Sequence, residues 1–193
     1  METLWPERRE VTAETLKEAA TAWDVFRAPD PAGLAELVTR DSKQLPFLAA
    51  ALERLLEELP DVADGLSRTE RQALQVVAGD ARTPMGAFLA TQELEEAPFL
   101  GDAWFYRALS TIGQGDERLL ETEEGEPLPA PPPLSDGQEF AWLALRVTPS
   151  GERVLGAEAD RVELLGVDRW LGGSHVAAQS GWRWDSAARQ LRA

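Results

Sequence analysis

Three helix starts in a row, each written in capping residues, followed by a strand, a long loop, a second strand and a fourth capped start, constrain this chain more than any other feature. Ser67-x-x-Glu70 is a capping box, in which the serine hydroxyl and the glutamate carboxylate each take a backbone amide left open by the first turn. It predicts a helix over 67–78 that buries Ala73, Leu74 and Val77. Thr83-Pro84 pairs an N-cap with a first-turn proline and opens a helix over 84–95 bearing Met85, Phe88 and Leu89. Gly101-Asp102 sets off a third, over 102–113, with Phe105, Leu109 and Ile112 inward. Strands are expected near 118–122 and 140–147, and a helix over 149–159 begins at Thr148-Pro149-Ser150-Gly151. Between the strands lie Gly125, Pro127, Pro129 and the run Pro131-Pro132-Pro133, so 124–137 is expected to be the least ordered internal segment. This is the order of a winged-helix domain, over residues 64–160.

Winged helices usually meet nucleic acid, and the charge of this one opposes that. Residues 64–160 hold 18 Asp+Glu against 7 Lys+Arg, a net of −11, and the whole chain carries −15. Phosphate neutralisation supplies most nonspecific nucleic-acid affinity, so any cationic surface must be local. On the third helix, Ala103, Arg107, Ser110 and Gln114 are expected on the outward side. The candidate nucleic-acid face is therefore Arg68, Arg71, Arg82, Arg107, Ser110 and Gln114.

Ahead of this domain, residues 1–63 read as a helical layer. Thr12 caps a helix over 12–28 with Leu16, Ala19, Trp23 and Phe26 on one face. Asp30-Pro31 opens one over 31–39 with Leu34, Leu37 and Val38, and Pro46 opens one over 46–59 with a stripe of Leu48, Leu52, Leu55 and Leu59. After it, residues 161–193 form a Trp- and Gly-rich tail whose alternation at Trp182-Arg183-Trp184-Asp185 predicts a closing hairpin packed on the winged helix. The expected fold class is α+β, mainly α, with a small antiparallel sheet.

Composition removes several chemistries. There is no Cys, so no thiolate nucleophile, disulfide or zinc-thiolate site, and a single histidine, His175, excludes a multi-histidine metal site within one chain. Glu121, Glu123, Glu124, Glu126 and Asp136 could offer oxygen ligands, but neither their spacing nor the glycine placement matches an EF-hand, and a solvated acidic run is the preferred reading. No metal or cofactor is expected. No apolar run reaches the ~18 residues of a membrane span and the first residues are no signal peptide, so a cytoplasmic protein is expected. Two Lys against seventeen Arg, with no Asn, fit a GC-rich genome and a loss of heat-labile residues; a thermophilic bacterium is the expected source, although thermophile charge enrichment more often favours Lys.

The densest group of distinctive side chains is Asp168, Arg169, Trp170, His175, Trp182 and Trp184, either a small-ligand cluster or, preferably, indole rings closing a hairpin over the domain. Gly172-Gly173-Ser174-His175 also invites a nucleophile–base reading with an oxyanion hole. Adjacent side chains of an extended segment point to opposite faces, which argues against it. Pro98-Phe99-Leu100-Gly101, ringed by Glu93, Glu95, Glu96 and Asp102, is either core packing or an acidic-rimmed docking surface.

Five ordered motifs carry a family resemblance: Gly65-Leu-Ser-Arg-Thr-Glu-Arg-Gln-Ala-Leu74, Glu95-Glu-Ala-Pro-Phe-Leu-Gly-Asp102, Val147-Thr-Pro-Ser-Gly-Glu-Arg-Val-Leu155, Asp168-Arg-Trp-Leu-Gly-Gly173 with His175, and Trp182-Arg-Trp-Asp185. Together they resemble the C-terminal part of long bacterial proteins of the domain of unknown function 1835 family, from about Leu4 onward. That family's N-terminal domain, with its Asn-Gly-Asp-Ser segment, has no counterpart here, which leaves a separate short gene product or a C-terminal fragment as the expectations. The resemblance implies a fold neighbourhood, no activity and no catalytic residue. The leading expectation is a non-enzymatic winged-helix interaction module, docking a protein partner such as the missing domain, or forming a homodimer. A DNA-binding transcriptional regulator is the alternative. A ligand-binding or enzymatic site at the Trp/His cluster comes third.

Overall fold

The structure is a computed structural model that describes Arg8 and residues 10–40, 42–130 and 137–193. It is mainly α with three small two-stranded sheets. The chain divides into two compact units, residues 1–56 with 170–175 and residues 57–169 with 176–193.

The first unit contains α1 (Ala13–Phe26), α2 (Ala32–Val38) and α3 (Leu48–Leu56). Thr12 caps α1 by accepting the Thr15 amide, and Asp30 accepts the Ala32 amide at the start of α2. Leu34, Leu37, Leu52 and Leu56 are buried. The apolar face expected on α1 is only partly used: Ala22 is buried and Val25 and Phe26 are half-buried, while Leu16 and Trp23 stay exposed. Trp23 instead stacks on Phe26, 5.5 Å between centroids, with the Arg27 guanidinium over its ring.

The second unit begins with α4 (Arg68–Ala78), α5 (Pro84–Gln92) and α6 (Asp102–Ile112). All three start where the capping residues place them, and both halves of the Ser67/Glu70 box are formed. Strands β1 (Leu120–Thr122) and β2 (Leu145–Val147) pair antiparallel, with Leu120 opposite Val147 and Thr122 opposite Leu145. The Leu145 amide also donates to the Arg82 carbonyl, which ties β2 to the α4–α5 connection. Three helices followed by a wing of two strands is the winged-helix order. Leu66, Leu74, Phe105, Leu109, Ile112, Leu119, Leu120, Leu145 and Val154 form one buried core inside it. Burial of each such side chain contributes about 1.5–3 kcal/mol.

Between the strands two expectations change. The strand expected over 140–147 is shorter, because Gly137–Ala141 is a helical turn, α7, and only Leu145–Val147 is extended. Phe140 and Ala141 are neighbours and both buried, which a pleated strand cannot arrange on one face, and the Phe140 ring sits 5.3 Å from that of Tyr106. The acidic connection is also better built than its prolines suggested, as far as residue 130. Leu128 is buried and its amide donates to the Gly113 carbonyl, while the Ser110 hydroxyl donates to the Pro129 carbonyl. Pro131-Pro132-Pro133 and Asp136 lie outside the described residues.

The helix α8 (Pro149–Leu155) starts under a Thr148 cap, and Thr148 holds β1 with both its amide, donating to Leu119, and its hydroxyl, donating to Arg118. At Gly151 a Cβ would run into the Leu119 carbonyl and Val147, so only glycine lets α8 approach β1 this closely. Then follow α9 (Arg161–Leu165), β3 (Asp168–Leu171), β4 (Ser174–Ala177), β5 (Arg183–Asp185) and β6 (Gln190–Arg192). Strands β5 and β6 make the expected C-terminal hairpin, Trp184 opposite Leu191. Its β5 strand extends onto residues 60–62: the Trp184 amide donates to Pro60 and the Val62 amide to Trp184.

Candidate functional site

The expected nucleic-acid face does not assemble into one cationic surface. Arg68 donates to Glu57 at 2.9 Å and to Glu96 at 2.8 Å, with Glu95 at 3.7 Å. Arg71 forms a two-pronged pair with Asp64, and Asp61 lies 3.8 Å away. Arg82 faces Glu123 of the wing at 3.7 Å. Ser110, read as outward, is buried: the wing segment passes over that side of α6, Ser110 donates to Pro129, and Gln114 donates to Ser110. Ala103 is half-buried, and the open stripe of α6 is Trp104, Arg107, Thr111 and Gln114. Only Arg107 on it is cationic. Trp104, which periodicity alone did not single out, is 66% exposed.

The C-terminal group splits between the two units. In the first, the Trp170 ring stacks on His175 at 4.9 Å, both exposed. Ser174 is buried beside them and its hydroxyl donates to the Ala28 carbonyl, so Ser174 and His175 do lie on opposite faces of β4. The Gly172-Gly173 pair has a structural cause. The Gly173 amide donates to the Phe26 carbonyl at 2.8 Å, and a Cβ at either glycine would strike the backbone of Phe26 or Arg27. In the second unit Trp184 is 3% exposed while Trp182 is half-buried, and Asp168 is exposed.

Arg169 belongs to a different constellation, the centre of the second unit. Glu70, the third helical residue of α4, is 3% exposed; one carboxylate oxygen accepts the Ser67 amide and the other accepts Arg161 at 2.9 Å and Arg169 at 3.0 Å. Burial alone would raise this carboxyl, but the charges of Arg169 and Arg161 outweigh it and hold it at about 2. Arg161 is itself 2% exposed and also donates to the Gly166 carbonyl. Alongside, Asp160 caps α9 and accepts Arg183 at 2.8 Å, which together with the α9 amides lowers its carboxyl against the opposing effect of burial. Asp64 goes the other way, raised by burial more than Arg71 and the Leu66 amide lower it. Glu70 was legible as a cap, but its arginine partners lie 91 and 99 residues away and no local pattern could have found them.

The chemistry this unit leaves open is apolar. Helix α5 carries no charged residue over Pro84–Gln92. Among the described residues of this unit, the large exposed hydrophobic side chains are Val62, Leu89, Leu94, Trp104 and Trp142, and all but Val62 sit on α5, α6, α7 or the turns leaving them. Of the Pro98-Phe99-Leu100 segment, Pro98 is exposed and Phe99 and Leu100 are half-buried. Among the described residues no group of three or more His, Asp and Glu side chains is placed to hold a metal, and no helix is long and apolar enough to cross a membrane.

A mainly α, winged-helix-ordered protein with an apolar helix corner and neutralised arginines is the class that these features define. Comparison with protein-family models, with curated proteins and with solved structures finds no match.

Proposed function

We propose that the chain is a non-enzymatic interaction module that docks a protein through its α5–α6 corner. The observation carrying this reading is α5 itself: a surface helix normally shows a charged face to water, and one without charge calls for a partner on its open side. Leu89 and Trp104, 57% and 66% exposed, are the anchors such a partner would cover. We place the protein in the cytoplasm on the same composition grounds that set the expectation. The resemblance to the domain of unknown function 1835 family adds no residue role.

DNA binding stays the second reading because Arg107 stands exposed on the helix that enters the groove in winged-helix regulators. Against it, Arg68 and Arg71 already hold carboxylates, so phosphates would have to displace ion pairs within the fold. A mobility-shift titration with random duplex at about 50 mM salt, where phosphate contacts are strong, separates the two. No shift is expected; a shift that fades steeply with added salt and is lost in Arg107→Ala would overturn the interaction reading. The third reading, a ligand at the Trp170–His175 stack, rests on two exposed rings in the first unit, and the buried Ser174 hydroxyl beside them is already used on the Ala28 carbonyl.

A further inference from the structure

Resting on the interaction reading, we infer that the α5–α6 corner takes a cationic amphipathic segment of another protein, not a second copy of this chain. Four exposed apolar side chains sit on three elements that pack together, α5 against α6 and α7 against both, or directly after them: Leu89 on α5, Trp104 on α6, Leu94 just after α5 and Trp142 just after α7. Two tryptophans beside two leucines are a composition found in binding hot spots, where Trp is enriched. The same elements and turns, residues 84–112 and 137–142, hold the acids Glu93, Glu95, Glu96, Asp102 and Glu139 and one cation, Arg107.

Arg68 is shared among Glu57, Glu95 and Glu96, while Glu93, Asp102 and Glu139 are exposed on the rim with no ion pair to a described cation. A partner that buries the apolar anchors must bring its own edge near these carboxylates. Lys or Arg flanking Leu- or Phe-type anchors satisfies both demands, as in the helix-in-groove mode of peptide capture. A two-fold dimer through this face would set the acidic rim against itself, and a chain of net −15 repels its copies before contact. Phosphate and anionic lipid are disfavoured by the same rim.

The test uses the full chain and a fluorescent, helix-forming peptide of Leu and Lys in amphipathic pattern, with a Leu/Glu peptide of the same pattern as control, read by anisotropy at about 0.1 M salt. The Leu/Lys peptide is expected to bind and the Leu/Glu peptide not. Trp104→Ser and Asp102→Lys should each weaken binding by about tenfold or more. Glu158→Lys, the same charge change at an exposed turn after α8, should shift it less than about threefold, because a distant charge acts only through the screened field. Circular dichroism of each variant checks that these exposed sites leave the fold intact. Absence of Leu/Lys binding overturns the inference, as does an equal effect of Asp102→Lys and Glu158→Lys or no effect of Trp104→Ser. A dimer in sedimentation velocity that Trp104→Ser dissolves would make the occupant a second copy, which overturns the inference while the interaction reading stands. The Arg107-dependent DNA shift described above would remove that reading itself.

Discussion

Replacing Glu70 by glutamine tests the buried ion network most sharply. In the folded chain its carboxyl sits at about 2 against an ordinary 4.5, which corresponds to about 3 kcal/mol of stability favouring the ionised form. The pKa is depressed on folding, so this contribution is complete above the unfolded value and is lost as pH falls from about 5 through about 2. The substituted amide would keep an acceptor for the Ser67 N–H but would leave two guanidiniums, one of them 2% exposed, facing a neutral group. Breaking a buried pair from one side costs roughly 3–5 kcal/mol, in line with the titration argument. Urea unfolding near pH 7 should therefore show Glu70→Gln less stable by about 3 kcal/mol, a gap that closes by about 2 kcal/mol near pH 3. A gap under about 1 kcal/mol near neutrality, or one that does not change with pH, would refute the claim that Glu70 anchors Arg161 and Arg169 as an ion.

Trp184→Ala should cost on the order of 3–5 kcal/mol in the same assay, whereas Trp184→Phe should cost far less, because the buried indole N–H of Trp184 has no hydrogen-bond partner among the described residues. Gly151→Ala should lose about 1–3 kcal/mol as the new methyl pushes α8 off the Leu119 carbonyl; an unchanged urea midpoint would show that α8 can slide without strain. His175→Ala should change unfolding stability by no more than about 0.5 kcal/mol, since the ring is exposed and the Trp170 ring it stacks on is exposed too; a large loss of stability would mean that His175 holds the hairpin.

What was legible in the sequence was local. Ser67/Glu70, Thr83-Pro84 and Thr148-Pro149 each specify a helix start through contacts spanning three residues, and all three helices begin there. Of the three tail tryptophans expected to close the core, Trp184 is buried, Trp182 is half-buried and Trp170 is exposed, because an aromatic-rich segment does not say which rings find a partner surface. Phe140-Ala141 misled because a short apolar run reads equally as strand or helix, and the choice was made by Tyr106 from another helix. Ser110 misled for a related reason: helical periodicity fixes which residues share a face, but the wing backbone at Pro129 decided which face was covered. The Gly172-Gly173 pair resembled an oxyanion loop only while the Phe26 carbonyl was out of view.

The arginines show most clearly why the functional site was harder to read than the fold. Counted along the sequence, Arg68, Arg71 and Arg169 look like binding groups, and Arg161 and Arg183 attract no notice. In the folded second unit all five are paired with carboxylates, Glu57, Asp64, Glu70 and Asp160, and they join the segment before α4 to α9 and to strands β3 and β5. A cation already hydrogen-bonded to a partly buried carboxylate offers little to an incoming phosphate, since moving it leaves that carboxylate uncompensated. Exposed on α5, α6 and the turn between them are instead Leu89, Leu94 and Trp104, with the acids Glu93 and Asp102 and a single cation, Arg107. Exposed apolar side chains with a single cation among them are the ground on which we propose that this unit recognises protein and not nucleic acid.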